Sequence, residues 1–339
     1  MILNNNIDLS SSGINLGIIG TNFISDSLCD AAKKTGLPVT AVFSRAMDTG
    51  RAFAEKHGIE NVYCDFEKFC SSDKINAAYI ASPNFCHFQQ SMALLDCGKH
   101  VLCEKPAASS LAKFESMVKK AGKNKLVLIE AMRPAYDPAI ETIKSFIPLC
   151  GKLRFAHIEY SQYSSRYDKF KSGILMRAFD QSFSNAAVMD IGVYPIHICA
   201  ALFGKPKNIL SHSVKLDGGF EGQGNVILDY GDMTAEIAYS KITEAHTPSF
   251  IRGEDAEITF GHALSKIDSI EFFPRNGNPK TSEFIPAENN MIFELSAFAD
   301  FINGRKSPEK YINDTKITLE IMDEIRRQNN IMFPEDNEF

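Results

Sequence analysis

The chain has 339 residues, more than one hydrophobic core usually organises, so two domains are expected. Its apolar share of 44%, with 25 Phe and no Trp, suits a folded globular protein, and a formal net charge of -6 gives no general electrostatic reason to bind nucleic acid or an anionic membrane. Eight cysteines (Cys29, Cys64, Cys70, Cys86, Cys97, Cys103, Cys150 and Cys199) form no CxxC pair, which favours free thiols over disulfides or a metal cage.

The first 13 residues lack a basic stretch followed by a long apolar core, and no uninterrupted apolar run reaches the ~18 residues of a membrane span. A cytoplasmic protein is expected. Residues 15–19 read as a strand and 25–35 as a helix, which Gly36-Leu37-Pro38 stops. Between them Gly20, Thr21, Asn22, Phe23, Ile24 and Ser25 make a reduced G-x-G-x-x-G turn. Gly20 allows a tight bend, and the helix N–H groups beyond it can receive pyrophosphate oxygens. Asn22 brings a side chain to the place of a second glycine but tolerates left-handed backbone better than most residues. Ser25 is small enough for close helix–strand packing.

A second strand over 39–43 ends at Ser44 and Arg45, with no acidic residue before Asp48. A carboxylate there usually takes the ribose hydroxyls. A serine hydroxyl and a guanidinium suit an added phosphate instead, which favours NADP(H), although an arginine stacked on adenine is compatible with NAD(H). A helix over 48–57, a short strand over 61–64 and a helical turn over 66–69 follow. Strand 77–80 runs into Ser82, Pro83 and Asn84: proline shapes the exit, and Asn84 suits a ribose or a backbone turn. His87, read at the start of a helix over 87–97, suits either a contact to the nicotinamide ribose or a cap or packing role.

Strand 100–103 ends in Glu104-Lys105-Pro106, and the carboxyl ends of strands are where open α/β sheets bind ligands. Lys105 can donate a proton to oxygen or, with a lowered pKa, accept one; the proline after it restricts its backbone and admits a cis bond. A helix capped by Ser109 or Ser110 and a strand over 126–130 complete the series. Short apolar strands separated by amphipathic helices imply a mostly parallel sheet covered on both faces.

The pattern then changes. A helix over 136–146, a half-exposed strand over 153–163 and a helix over 186–203 precede a strand-rich region: 209–216, 223–230, 233–239, 249–252, 258–260, 269–273 and 281–285. Polar turns between successive runs favour antiparallel hairpins. Helices over 289–302 and 314–327 follow. The division reads as a dinucleotide-binding domain over 13–130 and a substrate-binding and oligomerisation domain over 131–339, whose terminal helix can pack back on the first. Asp190, Tyr194 and His197 stand four and then three residues apart, so one helical face can show all three.

On Gly98-Lys99-His100-Val101-Leu102-Cys103-Glu104-Lys105-Pro106 above all, the chain resembles the glucose-fructose oxidoreductase/inositol dehydrogenase family of NAD(P)-dependent oxidoreductases, and most of all its dimeric dihydrodiol dehydrogenase-like branch. Support comes from Glu130-Ala131, Ser164-Ser165-Arg166-Tyr167-Asp168, Asp190-Ile191-Gly192-Val193-Tyr194-Pro195 and Glu294-Leu295-Ser296-Ala297-Phe298. The resemblance implies an α/β plus α+β fold: an N-terminal Rossmann-type doubly wound domain and a C-terminal, predominantly antiparallel sheet with helices. The open face of that sheet would form a homodimer or homotetramer. It also implies that Lys105 is the catalytic lysine, that Asp190 supports substrate and proton handling, and that Tyr194 rather than His197 stands near the reactive hydroxyl.

Glu104 and Lys105 join the cofactor contacts, and Arg166, Tyr167 and Asp168 join Asp190, Tyr194 and His197 as candidate substrate contacts. No metal is required, because lysine can neutralise a developing alkoxide. The expected reaction is hydride transfer at a hydroxyl-bearing carbon of a carbohydrate-like molecule: a sugar, polyol, inositol or dihydrodiol. Two other readings are a non-catalytic cofactor-binding regulator and a hydride-exchange enzyme that retains its cofactor. Besides Asn22, the chain departs from its relatives at 184–188, where they often carry a glycine pair, and at Ala135, where many carry arginine.

Overall fold

A computed structural model describes residues 7–261, 263–282 and 285–338. It separates into two compact units, one holding the chain up to Arg133 together with Ala287–Asn313, the other holding Pro134–Pro286 and the chain from Asp314 onward.

The first unit is built on six strands: β1 (Leu16–Ile19), β2 (Val39–Phe43), β3 (Asn61–Tyr63), β4 (Ala77–Ile80), β5 (His100–Glu104) and β6 (Leu128–Ala131). They lie in the order β3-β2-β1-β4-β5-β6, and every pairing is parallel. Every residue of β1, β4 and β6 is buried, which is why β1 and β4 are continuous runs rather than alternating ones, while β6 interrupts its run with Glu130. The crossovers carry helices α1 (Phe23–Thr35), α2 (Met47–His57), α3 (Phe66–Cys70), α4 (Asn84–Asp96) and α5 (Leu111–Lys123). The chain moves outward from β1 to β3 and then returns to β4 on the other side of β1. That reversal makes the carboxyl ends of β1 and β4 a topological switch point.

Local chemistry sets the helix limits. Asn22 accepts the Ile24 and Ser25 N–H groups at the start of α1, and Ser110, not Ser109, accepts from Lys113 at the start of α5. Each such cap contributes about 1 kcal/mol. Helix α4 starts three residues before His87, because Pro83, at φ -59, already occupies its N-cap position.

The second unit begins within the short helix α6 (Arg133–Tyr136) and continues into α7 (Pro138–Phe146), whose first turn is capped by Asp137. Its sheet has eight strands: β7 (Leu153–Ser161), β8 (Asn208–Lys215), β9 (Glu221–Asp229), β10 (Thr234–Ser240), β11 (Ser249–Gly253), β12 (Ala256–Phe260), β13 (Ile270–Pro274) and β14 (Lys280–Thr281). The order is β14-β13-β12-β11-β7-β10-β9-β8. The sheet is mixed: the central pair β7 and β10 runs parallel, while the other pairings are antiparallel. No hairpin turn announces that pair, because α8 (Tyr167–Lys171), α9 (Val193–Phe203), β8 and β9 all intervene. Of the strand expected over 281–285, positions 283 and 284 lie outside the described residues.

One face of this sheet buries Ile158, Val226, Leu228, Ile237, Tyr239, Ile251 and Ile258, with α9 packed on β7 and β10. The other face leaves Leu210, Val214 and Ile227 exposed. Residues Gln181–Phe203 are long and apolar enough to cross a membrane by length and composition, yet most of that stretch is buried within the fold as a core helix.

Two helices complete the chain, α10 (Met291–Ile302) and α11 (Glu309–Gln328). Where the sequence suggests one division near residue 130, the chain re-enters the first unit at Ala287. Helix α10 packs on α1, helped by Asn289 Nδ2 donating to the Ser27 carbonyl at 2.7 Å and by a Lys34–Glu288 ion pair at 2.5 Å. Its Met291, Leu295, Phe298 and Ala299 are wholly buried, as a helix that closes a core requires.

Candidate active site

At the switch point Gly20 has φ +104, and a Cβ there would stand 2.7 Å from the Ala81 carbonyl oxygen. Glycine alone permits that approach. Asn22 closes the same turn: its Oδ1 accepts the N–H groups of Ile24 (3.0 Å) and Ser25 (3.2 Å), and its Nδ2 donates to the Ala81 carbonyl at 2.8 Å. The Asn22 backbone is extended, with φ -95 and ψ 178, so its tolerance of left-handed conformations plays no part. Its side chain ties the exit of β1 to that of β4. Among the described residues, the N–H groups of Thr21, Asn22 and Phe23 have no partner within the chain. Three successive unengaged donors at a helix N-terminus, beside a glycine that bares the backbone, fit the oxygens of a pyrophosphate. Ile24 and buried Ser25 give their N–H groups to the cap instead.

Ser44 is buried at the end of β2, while Arg45 is exposed and has no ion pair among the described residues. Helix α2 then starts without a side-chain cap, so its first N–H groups also face outward to solvent or ligand. After β4 the Ser82 hydroxyl donates to Gln90 Oε1 at 2.6 Å, with Pro83 and half-buried Asn84 opening α4.

His87 corrects the expectation of a ribose contact. It is 1% exposed, with Nδ1 2.9 Å from the Pro106 carbonyl oxygen and Nε2 2.9 Å from the Ser82 carbonyl oxygen. It joins the exit of β4 to the turn after β5 and so positions Lys105 rather than touching a ligand.

Lys105 is half-buried, and its bond to Pro106 is cis. Glu104 is buried; it accepts the Tyr79 hydroxyl proton and, at 3.2 Å, the Lys105 N–H. Glu130 accepts the Ala107 N–H at 2.8 Å and so fixes the chain beyond the cis bond. Glu294, brought by α10, is wholly buried, and neither of its oxygens has a hydrogen-bond partner among the described residues. Burial pushes both the Glu104 and Glu294 carboxyls up; the charge of Glu104 adds to the rise at Glu294, and Arg133 opposes it at both. Glu104 has donors and Glu294 has none, so the proton resides on Glu294.

In the second unit a buried carboxylate again sets the geometry. Glu221 accepts the Val188 N–H at 2.7 Å, the Tyr239 hydroxyl at 2.6 Å and the Ser213 hydroxyl at 3.0 Å. Val188–Gly192 forms a π-helical turn, and a Cβ on Gly192 would lie 3.0 Å from the Tyr239 ring, so the turn rests flat on that ring. The π turn breaks the single helical face that a straight helix would present. Asp190 stays 47% exposed and pairs with Lys241 at 2.8 Å. Tyr194 is 7% exposed, edge-on to Tyr160 at 5.4 Å. His197 is 1% exposed with Nδ1 3.1 Å from Thr318 Oγ1, which makes it a core residue and not a substrate contact.

Of the loop candidates, Asp168 is engaged: Lys171 (2.7 Å) and the Tyr163 hydroxyl (2.7 Å) hold it below the usual carboxylate range. Tyr167 packs between Tyr163 and Phe179, with ring centroids 5.5 and 5.6 Å away. Arg166 is exposed and unpaired among the described residues. Ser184 takes φ +55, a left-handed conformation that glycine adopts without strain. Sequence reading missed Lys241, Glu221 and Tyr79. A lysine after a strand and an acid or tyrosine within one carry no signature, since only the fold shows them buried.

A parallel sheet with a glycine turn and open N–H groups at its switch point is the architecture of a Rossmann-type dinucleotide-binding fold. Residues 14–132 match the model of the "Oxidoreductase family, NAD-binding Rossmann fold". The chain is 36% identical over 326 residues to the scyllo-inositol 2-dehydrogenase (NADP(+)) IolU of Bacillus subtilis, covering 95% of this chain and 99% of that protein. It is 34% identical to the uncharacterized oxidoreductase YgjR of Escherichia coli, covering 96% and 99%. The crystal structure of KijD10, a 3-ketoreductase from Actinomadura kijaniata in complex with NADP and TDP-benzene, shares the fold at a TM-score of 0.82 and 20% identity, over 93% of this chain and 97% of that one. The chain belongs to the glucose-fructose oxidoreductase/inositol dehydrogenase family.

The carboxyl pair gives the first unit a pH signature. Above the ordinary glutamate range and up to the raised value of Glu294, the folded protein holds a proton that the unfolded chain has released, so stability falls as pH rises through that window. Glu294→Gln mimics the neutral acid and should flatten the decline, raising Tm at pH 8 by about 2–4 °C for each kcal/mol recovered and changing little near pH 5. Thermal unfolding of both proteins between pH 5 and 8.5 checks this, and parallel curves would put the proton elsewhere.

Proposed function

We propose that the chain catalyses reversible NADP(H)-dependent hydride transfer at a hydroxyl-bearing carbon of a neutral polyol, with an inositol and its ketone as the substrate class. One observation carries the reading: half-buried Lys105, locked by Glu104 and His87, ends β5 on the same sheet edge as the open N–H groups of Thr21, Asn22 and Phe23. The similarity to a scyllo-inositol dehydrogenase over nearly the whole chain supports the substrate class.

Thr21, Asn22 and Phe23 would hold the pyrophosphate, Ser82, Pro83 and Asn84 the nicotinamide ribose, and Ser44 and Arg45 the 2′-phosphate. Bound there, the dinucleotide accepts hydride in one direction and returns it in the other. The chain's own residues manage the proton. In oxidation Lys105 Nζ takes it from the substrate hydroxyl, and in reduction gives it back. With Glu294 neutral, a single carboxylate charge acts on Lys105 from beneath, which avoids over-stabilising its ammonium. The Tyr194 phenol and the Asp190 carboxylate offer a donor and an acceptor to the remaining hydroxyls, as an uncharged polyol needs. Arg166 adds a further donor.

The open face of the eight-stranded sheet serves in this reading as the self-association surface. Leu210 and Ile227 face each other across β8 and β9, and Arg252 lies 3.9 Å from the centroid of Phe250. Sedimentation should show a homodimer or homotetramer at micromolar concentration. Ile227→Glu should yield monomers; a variant that sediments as the parent does would move the interface elsewhere.

A screen of inositols, other polyols, aldoses and dihydrodiols with each cofactor, followed by nicotinamide absorbance, tests the activity. Lys105→Met is expected to lower kcat by about 10²-fold or more while NADPH affinity stays within about twofold. Undiminished turnover would end the role given to the lysine. Arg45→Ala should weaken NADP(H) about tenfold or more and leave NAD(H) nearly unchanged, since a charge-assisted contact is worth ~1.5–3 kcal/mol. Equal NADP affinity in parent and variant would refute the phosphate contact.

A further inference from the structure

Lys241 lies just beyond β10, and its side chain is 4% exposed, whereas its partner Asp190 is 47% exposed. Its Nζ stands 2.8 Å from Asp190 Oδ2, donates to the Ala178 carbonyl at 2.7 Å, and sits 4.9 Å and 5.6 Å from the ring centroids of Phe179 and Phe220. The backbone is held as well. The Lys241 N–H donates to the Gly222 carbonyl at 2.9 Å, and its carbonyl accepts the Ser164 N–H at 2.9 Å, two residues before Arg166. The lysine is therefore fixed at both ends of its side chain.

The asymmetry of the pair is informative. Burying an ammonium costs several kcal/mol unless it is paired and hydrogen-bonded. A pair made for stability would bury both charges or leave both at the surface; here the cation is sealed in and the anion is presented. Two aromatic faces and a carbonyl already accommodate the cation from behind. What the carboxylate receives is direction and a charge balanced on its buried side.

We propose that Lys241 is a positioning residue for the reaction, holding the Asp190 carboxylate aimed so that its exposed side accepts a hydrogen bond from a substrate hydroxyl. The inference rests on the reading that Asp190 contacts the polyol. A charge-balanced carboxylate accepts a hydroxyl proton without abstracting it, so Asp190 orients the substrate while Lys105 exchanges the proton. It also holds little net attraction for a cation, which suits a neutral polyol.

The test uses the full chain with NADP and its best polyol from the screen, comparing parent, Lys241→Met, Asp190→Asn and the double variant. Lys241→Met should raise the polyol KM at least tenfold, lower kcat by much less, and leave NADPH affinity within about twofold. The double variant should be no worse than Asp190→Asn alone. A KM within twofold of the parent, or losses that multiply in the double variant, would overturn the proposal. Should Lys241→Met not fold, Lys241→Gln, which keeps a donor for the Ala178 carbonyl, takes its place under the same criteria. If Lys105→Met retains full turnover, it is the proposed function that fails. The Lys241 contact is then read from a crystal structure of Lys241→Met: a displaced Asp190 carboxylate supports it, and an unmoved one overturns it.

Discussion

Side chains bonded to backbone groups stitch together the carboxyl ends of four neighbouring strands in the first unit, and the rest of that active edge depends on them. Asn22, after β1, donates to Ala81 after β4. His87 bridges the carbonyls of Ser82, after β4, and Pro106, after β5. Glu130 in β6 takes the Ala107 N–H. Parallel strands diverge at their exits, where the ladder ends and backbone groups must find other partners. Bonding side chains to those groups leaves the N–H groups of Thr21, Asn22 and Phe23 clear of internal bonds among the described residues, as preorganised donors.

Each unit buries an acid whose carboxyl is pushed up by burial, and the surroundings of the two differ. Glu221 is surrounded by donors, and the N–H of Val188 with the hydroxyls of Tyr239 and Ser213 offset part of its desolvation. Glu294 meets no donor and faces another carboxyl, so it is kept neutral. One acid anchors the turn that carries Asp190; the other limits the negative charge beneath Lys105. The same residue type thus acts as a tether in one place and as an electrically silent filler in the other.

Much of this was legible in the sequence because it is local. The strand limits follow from apolar runs, the start of α5 from the serine cap read at Ser109 or Ser110, and Lys105 stands out from its place at a strand exit before proline. What escaped depends on contacts distant along the chain. His87 looked like a ligand contact because its two carbonyl partners are assembled only by the fold. The spacing of Asp190, Tyr194 and His197 suits one helical face, Gly192 and Pro195 complicate that helix, and nothing in Val188–Gly192 specifies a π turn except Gly192, whose need for closeness to Tyr239 is tertiary. The parallel pairing of β7 with β10 was invisible for the same reason, since 72 residues separate the end of one from the start of the other (161 to 234).

The return of the chain at Ala287 bears on how such a protein can be divided or inherited. Helix α10 supplies both the apolar cover of α1 and an acid that feels the charge of Glu104, although it is encoded more than 150 residues after β6. The nucleotide-binding half is consequently no detachable N-terminal cassette. Recombination that exchanged only the leading segment would carry off the glycine turn and the lysine without the lid of their own core, so the intervening segment is the piece that can be exchanged as an insert bounded on both sides by the first unit.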